Sequence, residues 1–244
     1  MKQQILTVTE NIPLARGVYR MALEAEGLEA QRPGSFVNIR LSGLYLRRPV
    51  SVFDSVPGRL VIIYKTVGRG TEQMAALAPG GKLDVLTGLG NGYDLSKSGD
   101  RPLLLGGGVG VPPLYLLAKK LREQGCRVTA VLGFNTGDEV FGEEDFRALG
   151  CGVTVTTADG SRGRKGFVTD ALPEEYSYFY TCGPEPMLRA VYRVAKTSGQ
   201  FSFEERMGCG FGACMGCSCM TITGSKRICR EGPVLRKEEI LWGD

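Results

Sequence analysis

The stretch Cys209-Gly210-Phe211-Gly212-Ala213-Cys214-Met215-Gly216-Cys217-Ser218-Cys219, with Cys229 further on, decides how the rest of the chain is read. Its C-x4-C-x2-C spacing with a fourth, more distant cysteine is that of a plant-type 2Fe-2S site, in which thiolates hold two irons and two sulfides. Gly208, Gly210, Gly212 and Gly216 let the backbone reach positive φ and turn N–H groups toward sulfur, which a Cβ would resist. A chain built this way moves electrons singly. Disulfides are a poorer reading, because Met1 opens a polar segment with no apolar signal core and no oxidising compartment is indicated. Structural zinc is a better rival, although its ligands usually come as two short C-x2-4-C hooks. Cys219 is a fifth candidate ligand, and its preferred reading is a buried thiol beside the cluster.

With 244 residues the chain can form two modest domains, each with its own core. The net charge of +4 is not gathered into a basic run and no transmembrane run is present, so neither nucleic acid nor a membrane is expected as a partner. A cytoplasmic location follows from the same features. Histidine is absent, which excludes a Rieske centre, a His-bearing zinc site and any Ser-His or Cys-His nucleophile. The chemistry must therefore come mainly from cofactors.

Upstream, residues 4–9, 18–23, 36–41, 50–53, 60–65 and 82–86 read as short strands punctuated by Gly and Pro, the pattern of a closed antiparallel barrel. A helix is expected from an N-cap at Thr71 to just before Pro79. Two places in this barrel suit a phosphate-bearing ligand. In Arg47-Arg48-Pro49-Val50-Ser51, Arg48 could grip a pyrophosphate through parallel hydrogen bonds, with the Ser51 hydroxyl nearby. Gly68-Arg69-Gly70-Thr71 is a glycine turn feeding a helix. Their plainer readings are a solvated basic turn and a capped helix; together they favour a nucleotide cofactor.

After the polar segment Ser96 to Asp100 the pattern changes to strand, glycine loop and helix. Leu103 to Leu105 is a buried strand, Gly106-Gly107-Gly108-Val109-Gly110 the loop, and Pro112-Pro113 opens a helix running to about Gln124. Strands at 128–132, 153–157, 178–181 and 201–205, a helix at 143–149 and another ending near Gly199 predict a parallel sheet covered by helices. The loop departs from G-x-G-x-x-G, so a tight strand-to-helix turn competes with a dinucleotide site. Cys182-Gly183-Pro184 falls at the carboxyl end of a strand, where ligands bind in open α/β sheets; Cys182 there is either a neighbour of nicotinamide or a core thiol. Cys126 and Cys151 read as core residues.

Nicotinamide exchanges two electrons at once and a 2Fe-2S cluster one, so a carrier able to do both must stand between them. A flavin is such a carrier, which makes the barrel an FAD site.

In order, Arg48-Pro49-Val50-Ser51, Gly70-Thr71, Gly106 to Gly110, Cys182-Gly183-Pro184 and the Cys209 to Cys229 loop resemble the ferredoxin-reductase superfamily. More narrowly, the chain resembles the electron-transfer subunits of NAD-linked, two-subunit dihydroorotate dehydrogenases. The resemblance implies a β plus α/β fold: an FAD-binding antiparallel β-barrel (1–97), a parallel-sheet NAD-binding domain (98–205) and a C-terminal 2Fe-2S segment (206–244). It implies that Arg48, Pro49, Val50, Ser51, Ile63, Tyr64, Lys65, Gly70 and Thr71 bind FAD, and that Cys209, Cys214, Cys217 and Cys229 hold the cluster. Gly106, Gly107, Gly108, Val109, Gly110, Gly183 and Pro184 would serve the nucleotide, with Cys182 beside the reacting ring. Val50 stands where the wider superfamily usually has an aromatic residue. The implied partner is an FMN-containing catalytic subunit that oxidises dihydroorotate, in a heterotetramer with two copies of each chain, for pyrimidine (UMP) biosynthesis. The rival readings are a flavoprotein subunit of a hydrogenase or NADPH-ferredoxin transhydrogenase assembly, and a zinc-stabilised nucleotide sensor without redox work.

Overall fold

The computed structural model describes residues 1–242. In the first part of the chain, apolar residues alternate along six strands that close into an antiparallel barrel. They are β1 (Lys2–Ala15), β2 (Val18–Glu24), β3 (Phe36–Arg40), β4 (Arg48–Val56), β5 (Arg59–Lys65) and β6 (Lys82–Leu89). Their order is β1-β2-β5-β4-β3-β6, and β1 pairs with β6 to shut the ring, which leaves no free edge. Leu6, Val8, Met21, Leu23, Val37, Ile39, Leu60 and Ile62 form its core. β1 is longer than its apolar pattern suggested because it changes partner, pairing with β6 up to Thr7 and with β2 from Thr7 onward.

The short helix α1 (Arg69–Ala75) corrects the cap assignment: its N-cap is Gly68, and Thr71 lies inside the first turn. The Thr71 hydroxyl reaches back, accepting from the Val67 N–H at 2.8 Å and the Gly68 N–H at 3.3 Å, so it secures the turn from within the helix.

The second core gathers around β7 (Leu103–Gly107), α2 (Pro112–Glu123), β8 (Thr129–Phe134), α3 (Glu143–Ala148), β9 (Gly152–Thr157), β10 (Arg164–Lys165), β11 (Phe179–Cys182), α4 (Glu185–Val194) and β12 (Gly199–Ser202). Leu114, Leu117, Ala118 and Leu121 follow helical spacing and put one apolar stripe of α2 into this core. The hairpin of β13 (Ser218–Thr221) and β14 (Gly224–Arg227) follows, and then β15 (Val234–Arg236). The sheet order is β10-β9-β8-β7-β11-β12-β15, parallel throughout except that β15 runs antiparallel to β12. The chain adds β8 and β9 on one side of β7 and then β11 and β12 on the other, and this switch of winding opens a crevice at the carboxyl end of β7. Two expected boundaries are corrected. α4 stops at Val194 rather than near Gly199, and β12 ends at Ser202, leaving residues 203–205 beyond the strand.

Barrel and sheet meet through the stacked rings of Phe53 and Tyr115, whose centroids lie 4.2 Å apart, and through Lys119, which pairs with Asp54 at 2.9 Å. The carboxyl-terminal segment is stitched to the connection between them by Asn91. Its backbone N–H donates to Gly232 at 2.7 Å, its Nδ2 donates to the carbonyls of Glu231 and Val234, and its Oδ1 accepts from the Val234 N–H at 3.0 Å. Among the described residues, no helix is long and apolar enough to cross a membrane.

Replacing Asn91 with Ala removes the three side-chain bonds. Because the site is open to water, the expected cost is about 1–2 kcal/mol rather than the full sum. Thermal denaturation should show that loss, with limited proteolysis cutting first between residues 203 and 234.

Candidate functional site

A cavity of about 750 Å³ lies where the barrel meets the carboxyl ends of β7, β8 and β11. The barrel contributes residues 49–51, 63–65 and Thr71, and the sheet contributes 107–110 and 182–184. Most of the expected cofactor residues thus face one space. Arg48, Gly70 and Gly106 do not line it. Arg48 packs its guanidinium on Gly70, where a Cβ would stand 2.5 Å from Nε. Arg47 is already committed, with both terminal nitrogens on the Asp84 carboxylate at 3.0 Å, whereas among the described residues Arg48 donates only to the carbonyls of Leu46 and Arg47. That leaves one cationic fork beside Pro49 for an anionic ligand. Gly106 faces α2 instead, since a Cβ there would meet Val111 at 2.9 Å.

On β5, the Tyr64 hydroxyl donates to Asn11 at 2.9 Å and its ring stacks on Tyr19, so the side chain belongs to the barrel core. The Lys65 ammonium crosses to the sheet and donates to Glu139 at 2.9 Å, with Arg16 also on that carboxylate at 3.4 Å. The Lys65 hydrogen bond outweighs partial burial and holds the Glu139 carboxyl below its ordinary value of 4.5. Nothing in the acidic loop around Glu139 signals this bridge in the sequence.

The glycine loop touches the turn after β11 backbone to backbone. A Cβ on Gly110 would stand 2.3 Å from the Cys182 carbonyl oxygen, and one on Gly107 would stand 2.5 Å from the Met187 sulfur. Such contact needs glycine, because no other residue lets the two chains approach so closely. Burial pushes the Cys182 thiol up to about 12, so it is neutral near pH 7 and presents a small uncharged surface to the cavity.

The cysteine loop rests against β3 of the barrel, through Asn38. Backbone N–H groups of Phe211, Ala213 and Cys214 point at the Cys209 sulfur at 3.5, 3.2 and 3.4 Å. Burial opposes the Cys209 thiolate, but these donors outweigh it and bring its pKa down to about 6. Cys217 and Cys229 flank the β13–β14 hairpin and are each 2% exposed, with the Cys229 N–H 3.4 Å from the Cys217 sulfur. Burial, and then the neighbouring Cys217, push the Cys229 thiol up to about 12. Two adjacent buried thiols suit a cationic core that would take both as thiolates. Arg227 closes the loop, donating to the Gly212 carbonyl at 2.6 Å while paired with Glu231. Cys219 is half-buried and lines a second pocket together with Phe203 and Trp242. Asn38 was missed by the sequence reading. It is a buried carboxamide in the apolar run of β3, and its Nδ2 donates to the Cys209 carbonyl at 3.1 Å. A lone polar residue between Val37 and Ile39 was the available signal.

Two family models match the chain: the iron-sulfur cluster binding domain of dihydroorotate dehydrogenase B over residues 204–241, and the oxidoreductase NAD-binding domain over residues 104–193. A solved structure of an NADH-dependent reduced ferredoxin-NADP oxidoreductase superposes with a TM-score of 0.88 at 32% identity, covering 98% of this chain and 90% of the other. Barrel, switch-point crevice and thiolate loop on one chain define an electron-transferring oxidoreductase of the ferredoxin-reductase type. The electron transfer subunit of dihydroorotate dehydrogenase B (NAD(+)) from Shouchella clausii is 42% identical over 256 residues, 98% of each chain, and that from Fusobacterium nucleatum is 41% identical over 257 residues, 98% of this chain and 99% of its own. The chain belongs to this family of dihydroorotate dehydrogenase B electron transfer subunits.

Two outcomes follow from the geometry. Gly110→Ala forces the loop away from the Cys182 carbonyl. It should raise the KM for NADH at least several-fold in steady-state assays while flavin content is unchanged. Because the folded pKa of Glu139 is depressed, its bridge stabilises above the unfolded carboxylate range and is lost as pH falls through the folded value. Glu139→Gln should therefore cost on the order of 1 kcal/mol near neutrality, the scale of a partly screened pair. Thermal melts should show the gap to the native protein closing below the ordinary carboxylate value of 4.5.

Proposed function

We propose that this chain carries electrons from a separate dihydroorotate-oxidising subunit to NAD+, through a 2Fe-2S cluster on Cys209, Cys214, Cys217 and Cys229 and an FAD in the barrel crevice, as a step of pyrimidine (UMP) biosynthesis. The observation that carries the reading is the fan of backbone N–H groups aimed at the Cys209 sulfur, on a loop packed against the strand pair that lines the crevice. A flavin bound there would supply the exchange between one-electron and two-electron carriers.

The chain's own residues would bind and orient. Arg48 on Gly70 would hold the pyrophosphate, Ser51 and Thr71 would offer hydroxyls, and residues 63–65 a strand edge along the ring. Val50 presents an aliphatic face in the cavity. Gly107, Gly108, Val109 and Gly110, with Gly183 and Pro184, would receive the dinucleotide, and the neutral Cys182 thiol would lie against nicotinamide and exclude water without taking a proton. In this reading residues 1–97, 98–205 and 206–244 divide FAD, NAD and cluster binding among them. Phe211, Met215, Met220 and Ile222 are exposed on the cluster segment, an apolar surface suited to an FMN-bearing catalytic subunit in a cytoplasmic heterotetramer.

A second reading, a flavoprotein subunit of a hydrogenase or ferredoxin-NADP transhydrogenase assembly, is favoured by the solved structure at 32% identity, against 42% for the dihydroorotate relative. Co-purification separates them: an FMN-containing partner supports the first, an iron-sulfur-rich partner the second.

Purified alone, the chain should bleach its flavin with NADH and form no orotate; dihydroorotate oxidation by the isolated chain contradicts the proposal. Cys217→Ser should abolish iron content and dihydroorotate-to-NAD+ turnover in the complex while NADH still bleaches the flavin.

A further inference from the structure

β3 is buried from Phe36 to Ile39, and Asn38 within it is 1% exposed. A carboxamide placed there is costly unless its hydrogen bonds are made. One is made across the fold, from Nδ2 to the carbonyl of Cys209 at 3.1 Å. Its Oδ1 is sealed from water and finds no partner among the described residues. The carboxamide nitrogen also abuts Gly210, whose φ is +77° and where a Cβ would stand 2.2 Å from Nδ2. On the barrel side Asn38 sits in register with Pro49 of β4, and its carbonyl accepts from Arg47 at 3.3 Å. Pro49 lines the crevice. A single residue therefore touches both the crevice strand pair and the peptide that leaves the first cysteine.

That peptide governs the loop's electrostatics. The amides of Phe211, Ala213 and Cys214 reach the Cys209 sulfur only while the chain turns at Gly210 as it does. Hydrogen bonds to cluster sulfur raise the reduction potential, because they stabilise the negative charge that reduction adds. Turning the Cys209–Gly210 peptide would swing those donors off the sulfur.

We infer that Asn38 is a positioning residue that sets the cluster's reduction potential by fixing the Cys209–Gly210 peptide against the barrel. The inference rests on Cys209 being a cluster ligand, and it adds a control exerted from the barrel. Asn38→Leu keeps the volume and removes the donor; Asn38→Asp puts an acceptor against the Cys209 carbonyl. Each is prepared with its partner subunit, assayed for iron, flavin and melting temperature, and titrated electrochemically with EPR detection of the cluster. Both should keep iron and flavin and show a lower midpoint potential with altered g-values, the shift being larger for Asp; loss of iron with flavin retained would overturn the inference, since the residue would then hold the cluster rather than tune it. Unchanged potential and spectrum in both variants at full iron content would overturn it, as would parallel loss of flavin and iron, which marks a general barrel defect. An unsubstituted protein without iron would instead sink the cluster assignment itself, so the two failures are distinguishable.

Discussion

The pairing of β15 with β12 is the contact on which the arrangement depends. It runs antiparallel on the edge of an otherwise parallel sheet, so the chain must return from the cluster hairpin before it can form. That return path passes Asn91, and Gly90 has to lack a side chain because a Cβ would stand 2.7 Å from Pro233. The strand therefore caps an exposed edge, which would otherwise invite pairing with another chain, and it holds the far end of the segment whose β13–β14 hairpin brings Cys229 to Cys217.

The crevice is lined by groups that do not trade protons near neutrality. Burial raises the Cys182 thiol well above its usual range. Of the charges that line the crevice, Lys65 and Glu139 neutralise each other. In a chain without histidine this leaves shape, backbone donors and the Arg48 fork as the means of handling a ligand. Such a lining suits chemistry that belongs to bound cofactors, with the protein supplying position and a dry, low-polarity wall.

What was legible in the sequence follows from how each feature is encoded. The barrel strands show because half-buried strands alternate, and β7 and β8 show because buried parallel strands read as apolar runs. The glycine loops and the cysteine spacing are local in sequence and so could be read directly. β13, β14 and β15 were not foreseen: they are at most four residues long and carry Ser, Thr, Lys and Arg, so their pairing comes from tertiary contact rather than pattern. The Thr71 misassignment has a similar origin, since a hydroxyl can secure a turn from the cap or from inside the first turn, and only the backbone tells which. Glu139 and Asn38 act across 74 and 171 residues of chain, to Lys65 and Cys209 respectively, and no spacing rule reaches that far.

A loop that gains and loses one charge should move little as it does so, since any rearrangement adds to the barrier for transfer. The anchors of this loop act on backbone rather than sulfur: Asn38 on the Cys209 carbonyl, Arg227 on the Gly212 carbonyl, and Asn91 on the segment after Cys229. Each comes from a different element, β3, β14 and the barrel-to-sheet connection. Fixing the peptides leaves the thiols free to take the geometry their iron requires, while the N–H groups aimed at sulfur are already in place before it binds. Rigidity of the scaffold and adaptability of the ligands are thereby assigned to different atoms of the same residues.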